Sequence, residues 1–173
     1  MTETAADNEW EVLTYPDKRL RKVSAPIVEI TDDVRTKGLA LMDLMHEVRG
    51  IGIAAPQVGW HVRALAINLT GQRRDGLIFM NPEVVTQSKA KFAAQEMCLS
   101  VPGISGKVVR PREVSITAMN MDGDLNEFKL DGLLARCFLH ELDHLNGRLF
   151  IDLLSLAKKR TIQRRLRALG GLE

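Results

Sequence analysis

The segment 138–147, FLHELDHLNG, carries His140 and His144 four positions apart, with Glu141 between them and Asp143 beside the second histidine. On an α-helix, positions i and i+4 share a face about one turn apart, so two imidazoles can reach one ion. Glu141, one residue round the helix, can reach a water on that ion without ligating it. An ion and a carboxylate acting together lower the pKa of a water and take its proton, which is the chemistry of a metal-dependent hydrolase. The plain alternative is an amphipathic helix with two incidental histidines. Phe138, Leu139, Leu142 and Leu145 argue against it: they make the helix largely buried, and a buried histidine pair needs partners or a metal.

A hydrolytic site of this kind needs a third protein ligand and one open position. The extended protease pattern that adds a histidine downstream of the glycine fails, because Phe150 stands there. A glutamate from a later helix fails too: after His144 the acids are Asp152 and Glu173, and neither is well placed. Cys137 is on the same helix but seven residues before His144, a rise of about 10 Å. One ion with ligands at about 2.0–2.3 Å does not span that distance, so Cys137 reads as a pocket wall or a small core residue. Cys98, distant in sequence within QEMCLSVPG, is left as the candidate.

Three segments now stand in order: GIGIAAPQVG (50–59), EMCLS (96–100) and HELDH (140–144). Together they resemble peptide deformylase, and YPDKRLRKVSAPI, MNPEVV and GLLARCFLHELDHLNGRLFIDLL extend the resemblance from about Val12 to Leu169. It implies an enzyme that removes the formyl group from the N-terminal formylmethionine of new proteins and releases formate. It implies Cys98, His140 and His144 as metal ligands, with ferrous iron the usual ion. Zinc, nickel or cobalt would also suit such a donor set. Glu141 would take a proton from the activated water and return it to the departing amine. The Gln57 amide and the Leu99 backbone N–H would hold the oxyanion. Gly52 would let the backbone approach a substrate bound as an added strand. Ile51, Leu133, Cys137 and the His140 ring would wall a methionine pocket, and a Glu96–Arg110 pair would orient the cysteine strand.

The chain departs from the family pattern at two positions. Met97 stands where a glycine is usual, and either turns outward or leans over the substrate channel. Arg136 stands where many members have an apolar residue, and is expected to point to solvent with its stem packed. Two rival functions stay in view: a deformylase-like binding protein without activity, and a zinc endopeptidase.

The elements that must position these residues follow from patterning. The 173 residues, 45% hydrophobic and 27% charged, suit a single domain over 1–173 with a real core. The start, MTETAADNEW, has neither the basic residues nor the apolar run of a signal peptide, and residues 1–10 are expected to be flexible. No stretch approaches the roughly 20 apolar residues of a membrane span. Two cysteines make no disulfide framework, which together suggests reducing cytoplasm. The net charge of +2 argues against a protein devoted to nucleic acid. The balance is uneven, however: residues 148–173 hold seven basic residues against two acids.

A first helix is predicted over 31–50, capped by Asp32 or Asp33, with Val34, Leu41, Met45 and Val48 facing the core. Segments 62–69, 77–85, 113–119 and 127–130 read as strands. Asp131 is expected to cap a helix from Gly132 to about Asn146, and Ser155 a basic helix over 155–169 with Ile162, Leu166 and Leu169 as its apolar stripe. Segment 50–59, glycine-flanked and proline-broken, is expected not to be helical. The fold class is therefore α+β: mainly antiparallel sheets around a central metal-binding helix, with a C-terminal helix. The basic helix is either a solvated element packed by its stripe or, as the family resemblance implies, a docking surface for ribosomal RNA.

Overall fold

In a computed structural model that describes residues 10–168, the chain forms three α-helices and seven strands. In chain order these are α1 (Asp32–Glu47), β1 (Gly52–Ala54), β2 (Ala64–Ile67), β3 (Leu77–Gln87), β4 (Lys91–Cys98), β5 (Val101–Pro111), β6 (Glu113–Met119), β7 (Leu125–Asp131), α2 (Gly132–Leu145) and α3 (Leu156–Ala168). Segment 1–9, expected to be flexible, and Leu169 lie outside the described residues.

Five strands form an antiparallel sheet in the order β1-β2-β3-β6-β7, while β4 and β5 make a separate antiparallel hairpin. The predicted α+β class holds, with α2 packed between the two sheets. Ala135, Phe138 and Leu145 of α2 join Leu65, Phe79, Ile116 and Leu130 in one buried cluster. Phe79 sits edge-on to Phe138 at a centroid distance of 5.7 Å. Burying these side chains against the sheet stabilises the helix far more than its propensity could, and fixes which face looks away towards the hairpin.

Several expectations need correction. The N-cap of α1 is Thr31, whose hydroxyl accepts from Val34 N at 3.3 Å. Asp32 and Asp33 lie in the first turn instead, where their charge suits the helix dipole. Leu41 and Met45 are fully buried, but Val48 is 37% exposed because the helix ends at Glu47 and the chain turns away. Asp131 precedes α2 without making a side-chain cap bond. Part of segment 50–59 is helical: Ala55–Val58 forms one 3-10 turn after β1.

The hairpin of β4 and β5, like the three-residue β1, was not revealed by sequence pattern. Its strands, KFAAQEMC and VPGISGKVVRP, hold alanine, lysine, glycine and proline in place of a β-branched run. Pairing and packing hold it together. Cys98, Val101, Ile104 and Val108 form a second buried cluster with Leu149, Phe150, Leu154 and, from α3, Ile162 and Leu166. Ser155 Oγ accepts from Lys158 N at 3.3 Å, capping α3 as expected. Among the described residues, no helix is long and apolar enough to cross a membrane.

Candidate active site and metal centre

Two elements distant in sequence meet at the centre of the molecule. Helix α2 presents His140 and His144 on one face, their rings 5.3 Å apart. Strand β4 ends at Cys98, just before the turn Leu99–Ser100. Cys98 Sγ lies 3.3 Å from His144 Nε2, and the ligand atoms of Cys98, His140 and His144 are all within 4.8 Å of one another. His140 Nδ1 is 2.9 Å from Glu96 Oε2. A carboxylate only accepts, so Nδ1 carries the proton and Nε2 is left for the centre.

The electrostatics fit a cation. Burial works against charge on Glu96, but His140 and Arg110 outweigh it and hold its carboxyl at about 2. Burial pushes His140 down, yet Cys98 and Glu96 outweigh it and bring the imidazole up to about 10. Cys98 and Glu96 thus favour positive charge at this point, which a divalent ion would supply while displacing a proton. Burial, then the His140 charge, drives His144 well below its ordinary value, leaving a neutral imidazole able to donate its lone pair. One cysteine sulfur and two imidazoles are a donor set suited to zinc or a neighbouring first-row ion. Burial, reinforced by Glu141, raises Cys137 strongly, so it stays a thiol; its Sγ contacts the Ile51 carbonyl at 3.6 Å.

A cleft of about 650 Å³ opens onto this cluster. Its walls include Ile51, Gly52, Met97, Leu133, Cys137 and Glu141. Glu141 is buried, and that burial lifts its carboxyl to about 7 against the pull of His140 and Arg110. Gln57 is also buried on this cleft. Its Oε1 accepts from Ala54 N at 2.8 Å, and its Nε2 donates to Ser100 Oγ at 3.0 Å, with Cys98 Sγ 3.8 Å away. Leu99 is half-buried beside it, in the hairpin turn. A groove of similar volume, about 660 Å³, runs past Thr86, Glu113 and Lys129, and has no histidine or cysteine in its walls.

Beyond the cleft, Arg110 gives Nε and Nη2 to Glu96 at 2.7 and 2.9 Å and Nη1 to Asp143 at 2.9 Å. Met97 is 74% exposed: alternation along β4 buries Glu96 and Cys98 and turns Met97 outward at the mouth of the cleft. The expectation for Arg136 is overturned. It is 4% exposed and gives Nη1 to Glu96 Oε1 at 2.7 Å, because the hairpin lies over the start of α2 and two of its carbonyls also accept from Nη1 and Nη2. Ser100 and Asp143, to which sequence pattern assigns no role, also join the network. Their signals were proximity alone: Ser100 is two residues after Cys98, and Asp143 adjoins His144.

The polypeptide deformylase family model matches residues 10–160. A peptide deformylase of Acinetobacter baumannii (strain SDF) is 39% identical over 155 residues, 90% of this chain and 88% of the relative. Peptide deformylase 1 of Ralstonia nicotianae is 41% identical over 156 residues, 90% and 92% of the two chains. The crystal structure of a peptide deformylase from Legionella pneumophila matches with a TM-score of 0.88 at 37% identity, covering 93% of this chain and 95% of that one. One from Plasmodium falciparum matches with a TM-score of 0.87 at 38% identity, covering 92% and 94%. With its helix, hairpin and sheet arranged as in these structures and its sequence matched from residue 10 to residue 160, the chain belongs to the peptide deformylase family of metal-dependent hydrolases.

Proposed function

We propose that this chain removes the formyl group from the N-terminal formylmethionine of newly synthesised proteins, with Cys98, His140 and His144 holding the metal and Glu141 as general base and then acid. The observation that carries this reading is the convergence of Cys98 on the histidine pair, with all ligand atoms within 4.8 Å, beside a buried Glu141 on an open cleft. A ferrous ion held there, or zinc, nickel or cobalt, would act as a Lewis acid towards a water and the formyl oxygen.

The protein's own groups do the rest. Glu141, held near 7, accepts the proton as water attacks the formyl carbon and gives it to the amine as the C–N bond breaks. The Gln57 amide is fixed by Ala54 N, so on substrate binding its Nε2 can turn from Ser100 to the developing oxyanion, together with the Leu99 N–H. Glu96 orients the His140 ring and is itself held by Arg110. Among the described residues, β1 ends its sheet and β4 pairs only with β5, so each offers an edge to an extended peptide along the cleft. Ile51, Leu133, Cys137 and the His140 ring supply apolar surface for the methionine side chain. Met97, at the mouth, meets residues further along the peptide.

The deciding experiment is anaerobic purification, metal analysis, and measurement of formate release from a formyl-methionyl peptide. One bound ion per chain with no formate released would favour the binding-protein reading instead. A nascent-chain substrate would place the reaction in the cytoplasm.

The basic helix supports a partner as well. Lys158, Arg160, Arg164, Arg165 and Arg167 are exposed on α3, a surface suited to the phosphates of ribosomal RNA. Ile162 and Leu166 are in the core beside Cys98, so truncating the helix would damage the fold. Reversing Arg160, Arg164 and Arg167 to Glu is the cleaner test. Co-sedimentation with ribosomes at low salt should be lost while turnover of a short free peptide persists. Unchanged sedimentation would reduce α3 to a charged scaffold.

A further inference from the structure

The candidate metal centre is assembled from two elements that share no backbone pairing: β4 brings Cys98, and α2 brings the histidines. Arg136 stands on α2 one turn before His140, on the same face. Its Nη1 donates to Glu96 Oε1 at 2.7 Å and to the Val108 carbonyl at 3.0 Å, and its Nη2 donates to the Phe92 carbonyl at 2.7 Å. The guanidinium also stacks on the Phe92 ring, with Cζ 4.3 Å from the centroid; Nε is buried without a hydrogen bond. One side chain of the helix thus grips both strands of the hairpin. Cys98 lies two residues along β4 from Glu96, which also receives Arg110 and His140.

We infer that Arg136 is a positioning residue, which holds the hairpin at the distance from α2 that lets Cys98 share an ion with His140 and His144. The inference rests on the proposed ligand set. Arg136 borders the cleft, but its Nη donors are engaged by protein acceptors, which leaves it poorly placed to bind substrate. A buried guanidinium persists where its bonds are satisfied, and its planar fork meets three acceptors that a lysine ammonium cannot reach together. An apolar residue here would take a donor from the Phe92 and Val108 carbonyls and leave Glu96 Oε1 with Arg110 alone. Nothing would then tie the first turns of α2 to the middle of the hairpin at this point.

The test compares wild type, Arg136→Met and Arg136→Lys as metal-loaded proteins. Release of the ion into excess chelator is timed at a temperature where each stays folded, alongside the thermal midpoint of each apo-protein. Arg136→Met should release its ion roughly 10–100-fold faster, the usual effect of losing an outer-shell partner, with Arg136→Lys between the two. Wild-type release from a folded Arg136→Met would overturn the inference, even with a lowered apo midpoint, because Arg136 would then be a core cross-link only. If Arg136→Met does not fold, Arg136→Lys decides: release within about twofold of wild type overturns the inference, and faster release upholds it. A wild-type chain that holds no ion would sink the ligand assignment itself, and this inference with it.

Discussion

Gly52 approaches Glu141 so closely that a Cβ at position 52 would lie 2.5 Å from Glu141 Oε1, and 2.7 Å from Cys137 Sγ. The glycine is therefore required by space: real Cβ contacts do not come this close, and both neighbours are buried. Gly52→Ala should push the Glu141 carboxylate out of line. We expect kcat to fall by roughly 10²-fold, the scale of an ångström-sized misplacement of a catalytic group, with metal content unchanged. Near-wild-type kcat would mean that Glu141 relaxes freely or does not carry the proton.

Glu141→Gln keeps the shape of the side chain and removes its basicity. Metal should be retained and turnover should drop by roughly 10²–10⁴-fold, the range of general acid–base catalysis. Steady-state formate release with parallel metal analysis checks both parts, and a fully active variant would move proton transfer elsewhere.

Cys98→Ala should abolish metal retention, because two imidazoles alone bind more weakly and leave the ion less neutralised. Cys137→Ala should keep the ion, since Cys137 remains a buried thiol in contact with the Ile51 carbonyl. Metal stoichiometry after gel filtration distinguishes them. The reverse pattern would exchange the roles of the two cysteines.

Asp152 gives a pH-dependent contribution to stability through its ion pair with Arg21. Burial raises its carboxyl, but the Arg21 guanidinium and the Leu149 N–H outweigh this and hold it below its ordinary value. A depressed folded pKa stabilises the fold above the unfolded value of about 3.9, and the contribution is lost as pH falls through the folded pKa. Solvent screens the pair, whose side chains are 37% and 39% exposed, so its worth is at most about 1 kcal/mol. Asp152→Asn should therefore lower the thermal midpoint at pH 7 by no more than about 4 °C. The gap should close as pH falls below about 4. A gap that persists unchanged in acid would show that the charge is not its source.

Much of this protein was legible in its sequence because the signals are local. The pairing of His140 with His144, and the place of Glu141 beside them, follow from helical periodicity within five residues. Strand β6 alternates so regularly that its pattern alone gives the bounds 113–119, and the apolar stripe of α2 announces a buried helix. The hairpin was not legible, because its strands draw their stability from each other and from Leu149, Phe150, Leu154 and α3 rather than from their own propensities. The fate of Arg136 was equally hidden. Helical spacing put it on the face of His140, but whether that face met water or the carbonyls of Phe92 and Val108 depended on where the hairpin lay. Cys98 and Cys137 lie between these cases. Helical rise sets Cys137 aside and the order of the motifs points to Cys98, but only the tertiary structure puts that thiol, 46 residues away, within 3.3 Å of His144. An ion is held by distances in space, and the chain sets those distances by packing sheet, hairpin and helix together.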